Sequence, residues 1–173
     1  MREGWCCEIA QVDGILNCMN GSLYVAVSVA FSKNGHVTSG VIYNPATSDL
    51  YFAEKGSGAF KEGYRSHERL RVSARKDLSE ALLGADNSAL ADSVAGVRVS
   101  GCLNLDLAAI ASGKLDVLVS QENPIEVFSA GLLLVKEAGG YVYEYNQKDI
   151  RTDDEASVLA SGNLVAGNPD LVA

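Results

Sequence analysis

Few side chains in this chain have both the type and the setting for chemistry. Asp13 stands before Gly14 at the end of the short run Ile9–Val12, Glu8 lies just upstream, and Glu126 precedes the apolar segment Val127–Ala138. Carboxylates of this kind are the oxygen ligands a hard cation such as Mg²⁺ requires. Taken alone, however, Asp13-Gly14 is a turn, with Gly14 free to adopt positive φ and Asp13 able to bond the local backbone. Cys6, Cys7, Cys18 and Cys102 show no CxxC spacing and read as reduced, buried thiols. His36 and His67 are isolated among polar residues, so neither is a metal ligand or a base. Lys55-Gly-Ser-Gly-Ala-Phe60 has the glycines of a phosphate loop but no strand-to-helix context and no Gly-Lys-Ser/Thr ending, which makes it structural.

The elements that must position these residues alternate. Ser22–Phe31 is β-branched and aromatic, too apolar on both faces for an edge strand. Lys33-Asn34-Gly35 turns the chain into a strand over His36–Tyr43, and Asn44–Asp49 turns it again into Leu50–Ala53, an antiparallel meander. Lys61–His67 reads as an exposed loop, and Leu70–Ser73, Ala81–Gly84 and Val97–Gly101 as short strands. Leu103–Ala111 has a helical apolar face with Gly113 as its cap, and Leu115–Val119 is a strand. Val127–Ala138 reads as a buried helix stopped at Gly139-Gly140. Tyr141–Tyr145 and Ser157–Ala160 read as further strands, and Asn163 begins a terminal helix. The pattern predicts one α/β (α+β) domain over 1–173, with an antiparallel meander half at 1–95 and an α/β half at 96–173.

Composition bounds the partners. With 173 residues and 47% hydrophobic content, the chain can bury a core as a single domain. A net charge of −8 leaves no basic stripe for nucleic acid, and no run of about 18 apolar residues exists to cross a membrane. The start of the chain has no apolar segment of signal-peptide length, so a cytoplasmic protein is expected.

Three ordered blocks, Leu23–Phe31, Gly40-Val-Ile-Tyr-Asn-Pro45 and Ala53-Glu-Lys-Gly-Ser-Gly-Ala-Phe60, follow Asp13-Gly14. With Ser129-Ala-Gly-Leu-Leu-Leu-Val-Lys-Glu-Ala-Gly-Gly140, they resemble the inositol monophosphatase family. Its members carry D-P-I-D-G-T-x-N, V-A-V-S-I, G-V-V-Y-N-P, A-x-K-G-x-G-A-F and W-D-x-A-A-G-x-L-L-x-x-E-A-G-G in that order. The resemblance implies a layered αβαβα-type sandwich, here without the N-terminal helical segment and without a mid-chain helix between Asp77 and Val97. A metal-binding glutamate of the family would lie before Met1. Surface bared by the two missing segments would favour a homo-oligomer.

The resemblance also implies an Mg²⁺-dependent hydrolysis of inositol monophosphate or a related sugar phosphate, with two or three ions held by carboxylates. Matching position by position, the first Asp falls on Ala10, the proline on Gln11, and the residue lending a carbonyl to metal on Val12. The second Asp is Asp13. Gly14 is kept, the threonine beside the phosphate falls on Ile15, and the asparagine is Asn17. The Asp of the second signature falls on Val127, beside Glu126. The substrate-facing segment is Gly101-Cys102-Leu103, and the inositol-binding glutamate falls near Ser120. Metal contacts are therefore expected at Asp13 and Val12, phosphate contacts at Gly14 and Ile15, and a substrate pocket at Gly101, Cys102, Leu103 and Glu126. One retained carboxylate cannot hold two ions, so the sequence favours a homologue with impaired or absent activity that acts in binding or regulation. The alternative is an active Mg²⁺ phosphomonoesterase in which Glu8 and Glu126 substitute as ligands.

Overall fold

A computed structural model describes residues 4–85, 91–145 and 155–172. Its first sheet is antiparallel and built from neighbours in sequence: β1 (Trp5–Asp13), β2 (Ala26–Lys33), β3 (His36–Asn44), β4 (Asp49–Glu54), β5 (Gly58–Gly63) and β6 (Ser66–Arg69), in that spatial order. The meander thus extends to six strands. Residues 61–67 are not a loop, because β5 runs on to Gly63 and only Tyr64 and Arg65 turn, with Arg65 at φ 59°. The strand expected at Leu70–Ser73 lies earlier, as β6. Leu70 and Val72 instead tie the chain down singly, through N–H donation to the carbonyls of Ala59 and Ala138.

The second sheet is mixed, in the order β10 (Tyr141–Glu144), β11 (Leu164–Gly167), β9 (Val117–Ser120), β7 (Leu82–Ala85), β8 (Gly96–Arg98). β7 and β8 are parallel. Among the described residues, the connection between them holds only a 3₁₀ turn at Ala91–Ser93, where a parallel crossover ordinarily carries an α-helix. β11 corrects the expected terminal helix. The Leu-Val-Ala-Gly run is buried on both faces in the middle of the sheet, and a helix of only four residues, α5 (Pro169–Val172), follows it. The strand expected at Ser157–Ala160 is helix α4 (Glu155–Ser161). A short apolar run does not distinguish strand from helix. Here Glu155 settles it, accepting the Val37 N–H at 2.9 Å and pairing with Lys136 at 2.9 Å.

Helices α2 (Leu103–Ala111) and α3 (Ile125–Glu137) lie side by side between the two sheets, and they carry most of the core. α2 is apolar nearly all round and buried along its whole length, as a helix enclosed by two sheets must be. α3 starts two residues earlier than expected and stops before Gly139, which takes φ 86°. Its close seat on the first sheet depends on small residues. A Cβ added to Gly40 would come 2.9 Å from the Ala130 Cα, and one added to Gly131 would come 2.5 Å from Leu107 of α2. The opposite face of the first sheet is not covered by the described residues, and Ile9, Phe31, Val41 and Tyr43 are exposed there.

Candidate active site

The loop expected over Ala10–Asn17 is a strand-to-helix junction. β1 runs through Asp13, Gly14 takes the left-handed conformation (φ 83°), and α1 (Ile15–Met19) follows. A side chain at Gly14 would be strained in that backbone and would meet the Tyr24 carbonyl at 2.7 Å. Just before the junction, the β1–β2 register slips by one residue between Ala10 and Asp13. Such a bulge redirects the side chains beyond it, and here it aims Asp13 at the start of α2. Asp13 Oδ2 accepts the Asn104 backbone N–H at 2.7 Å and the Asn104 side-chain amide at 3.2 Å. The retained acid therefore caps a helix whose own N-cap residue, Cys102, makes no side-chain cap.

A second set of bonds fixes the turn before α2. The Asn17 amide donates to the carbonyls of Tyr24 (2.9 Å) and Ser100 (2.8 Å). The Ser100 hydroxyl donates to Asp106 Oδ2 at 2.5 Å, and the Tyr24 hydroxyl donates to Asp106 Oδ1 at 3.0 Å. Burial, with the Asp106 charge beside it, raises the Tyr24 phenol well above the ordinary tyrosine range. Burial and the neighbouring Asp13 charge likewise raise the Cys102 thiol, which leaves it a protonated, unreactive group. Cys6, Cys7 and Cys18 are exposed rather than buried, since they lie on the edge strand β1 and on α1, where nothing described covers them.

Two cavities meet at Val127. A cleft of about 290 Å³ is lined by Asp13, Ser100, Gly101, Cys102, Leu103, Asp106, Asn123 and Val127, among others. An adjoining groove of about 580 Å³ is lined by Ile9, Ala10, Gln11, Val12, Ile15, Cys18, Met19, Glu126 and Val127. The structure thus brings Gly101, Cys102 and Leu103 together with Asp13. Glu126, expected in the same pocket, lines the groove instead. One residue along a helix turns a side chain by about 100°, so Glu126 and Val127 cannot both face the cleft squarely. Gly14 is buried behind the junction, while Ile15 points its apolar side chain into the groove and is 60% exposed. Glu8 lines neither of these cavities and accepts a bond from Ser32 at 2.9 Å. Ser100, Asn104 and Asp106 escaped the sequence reading. The one available signal was a polar pair, Asn104 and Asp106, inside an otherwise apolar helix.

The inositol monophosphatase family profile matches residues 12–172. The chain belongs to the inositol monophosphatase family. It is 36% identical over 174 residues to an inositol-1-monophosphatase of Rhizobium meliloti, covering 91% of this chain and 60% of the relative. It is 34% identical over 176 residues to a Nus factor SuhB of Xylella fastidiosa, covering 92% and 62%. The crystal structure of the extragenic suppressor protein suhB from Bartonella henselae superposes with a TM-score of 0.83 at 33% identity, over 96% of this chain and 69% of that one. The chain therefore spans about 60% of the length of the curated relatives it matches.

Members of the family depend on Mg²⁺, and the donors present here can be tested against that need. Ala10, Ile15 and Val127 offer no ligating side-chain atom, and Oδ2 of Asp13 is engaged by Asn104. Among the described residues, no group of three or more His, Cys, Asp or Glu side chains could hold a metal ion. This donor set does not fit the two-ion arrangement, whose metals stand about 3.5–4 Å apart between bridging ligands.

Proposed function

We propose that this chain uses the inositol monophosphatase fold as a binding or regulatory scaffold and does not hydrolyse phosphomonoesters by the family's two-metal route. The observation that carries this reading is the groove itself: the positions matching the family's metal and phosphate loop, Ala10, Val12, Ile15 and Val127, form an apolar wall. Asp13, the one acid kept at a matching position, is spent on the N-terminus of α2, whose free N–H groups would otherwise suit a phosphate. Losing one electrostatic contact in an active site commonly costs about a hundredfold to a thousandfold in rate, and losing several that act together removes most of the effect. Against substitute ligands for an active phosphatase, Glu8 is bonded to Ser32, and Glu126 lines the groove while Asp13 lines the cleft.

The binding role is directed to other protein surfaces, a second copy of the chain included. Ile9, Val12, Ile15, Leu16 and Met19 are exposed around the groove, with Leu16 75% and Met19 77% accessible. The deciding experiment is phosphate release from inositol 1-phosphate in millimolar Mg²⁺, by the native chain and by the Ala10→Asp, Val127→Asp double variant. No Mg²⁺-dependent turnover is expected from the native chain. Turnover there, abolished by a chelator, would overturn the reading. Sedimentation of a monomer at tens of micromolar would remove the self-association part alone.

A further inference from the structure

A third cavity, of about 460 Å³, lies nearer the start of β1 than the groove, between the first sheet and helices α3 and α4. Trp5, Glu8, Ser32, Val37, Ile125 and Leu159 are among its walls, and Glu8 is the one carboxylate among the described residues that line it. Glu8 Oε1 accepts the Ser32 hydroxyl at 2.9 Å, while Oε2 is buried without any hydrogen-bond partner. A carboxylate oxygen held out of water in that way calls for a donor, and a charged donor satisfies it best. Trp5 lines the rim and is 68% exposed; by the β1–β2 register its ring, with the Lys33 ammonium 5.1 Å from its centroid, stands on the open face of the sheet, opposite to Glu8.

We infer that this cavity is a binding site for small protonated amines carrying a short apolar tail. The ammonium pairs with the Glu8 carboxylate, and the tail packs on Val37 and Leu159. The volume lies within the range of small-molecule pockets, and the lining has the usual form of apolar walls with one placed polar group. An anion is excluded by Glu8, and a neutral ligand of equal shape leaves the buried charge uncompensated. The site shares no wall with the phosphate-type cleft, so it stands or falls independently of the proposed function.

Trp5 is the only tryptophan of the chain and lines the rim of this cavity, so its fluorescence serves as the reporter. The native chain is titrated with n-butylammonium chloride, and with n-butanol as a neutral control of similar shape. The expected result is a saturable change with the ammonium ion that butanol does not reproduce. The apparent affinity should fall about tenfold or more in Glu8→Gln, which keeps the bond to Ser32. It should fall also in Ala160→Phe, which narrows the cavity and leaves the carboxylate untouched; circular dichroism checks that both variants are folded. An equal response to butanol, an unchanged response in folded Glu8→Gln, or no saturable response in the native chain would each overturn the inference. The last of these would assign Oε2 to an ordered water.

Discussion

Asp13 and Asn104, 91 positions apart in sequence, are joined by two bonds to a single carboxylate oxygen, at 2.7 Å from the backbone N–H and 3.2 Å from the side-chain amide. Asp13 is the cap that ties the end of β1 to the start of the central helix. The bulge between Ala10 and Asp13 makes this possible by turning the carboxylate out of strand register.

If Asp13 is a cap, its removal should be felt as stability. Replacing a capping acid by alanine costs about 1 kcal/mol, and bonds to a charged, half-buried acceptor raise the figure towards about 2. Asp13→Ala is therefore expected to lower the urea midpoint by an amount equivalent to about 1–2 kcal/mol. Asp13→Asn, which still offers an oxygen, should lose less. An Asp13→Ala chain as stable as the native one would show that the carboxylate does not hold α2.

Asp116 should give the chain an acid-sensitive lock. Its carboxylate accepts bonds from Ser73 Oγ (2.5 Å) and Leu82 N (2.8 Å), and from Arg75 Nε at 3.1 Å, and its side chain is 3% exposed. Burial pushes the acid upward, but the three donors outweigh it and hold the group below its ordinary value of 3.8. A lowered native value means that the contribution is complete above the unfolded value, near pH 3.8, and is lost as pH falls through the native one. Asp116→Asn is expected to cost about 3 kcal/mol at pH 7. The gap between native and variant in chemical denaturation should close below about pH 3.8. A gap that stays constant down to pH 2 would contradict the lock.

The elements most legible in sequence were those with a strong period and a clear stop. Leu103–Ala111 forms the helix its apolar spacing predicts, and the helix through Val127–Val135 stops at Gly139 as a glycine stop should. Short segments were not legible in the same way. Ser157–Ala160 and Leu164–Gly167 are both brief apolar runs, and only the tertiary partners, Val37 and Lys136 for one and β9 and β10 for the other, decide helix from strand. At the site, the lack of a ligating side-chain atom at Ala10 and Val127 is plain from the residue types, because a methyl or an isopropyl group cannot bind a metal whatever its surroundings. The employment of Asp13 could not be read, since a cap spanning 91 residues leaves no local trace.

The contact of α2 with α3 predicts an intolerance at Gly131. An added Cβ would lie 2.5 and 2.6 Å from Leu107 Cδ1 and Cβ, both atoms of a fully buried side chain with little room to yield. Overpacking of this kind costs about 1–3 kcal/mol. Gly131→Ala is expected to lower thermal stability accordingly, although alanine is the better helix former. Gly139 is the contrast: it has nothing within 4 Å of an added Cβ and a left-handed φ that asparagine tolerates, so Gly139→Asn should be nearly silent. Equal stability of Gly131→Ala and native chains would mean that the helices separate more readily than their packing implies.

Metal linkage separates a lost site from a hidden one. A ligand that binds only the folded state stabilises it by about 2.7 kcal/mol at a concentration one hundred times its Kd. The native groove presents Ala10, Val12, Ile15 and Val127 to any ion, with Glu126 as its one acid, so millimolar Mg²⁺ should leave the melting temperature unchanged. In the Ala10→Asp, Val127→Asp variant, two new carboxylates join Glu126 around one cavity. Their mutual repulsion should lower the melting temperature without metal, and Mg²⁺ should restore it by neutralising them. Ca²⁺, which accepts looser oxygen geometry, should restore it as well, whereas a monovalent salt of matched ionic strength should do so only weakly. A native chain stabilised by millimolar Mg²⁺ would reveal ligands that its side-chain chemistry does not supply, and would return the phosphatase reading to first place.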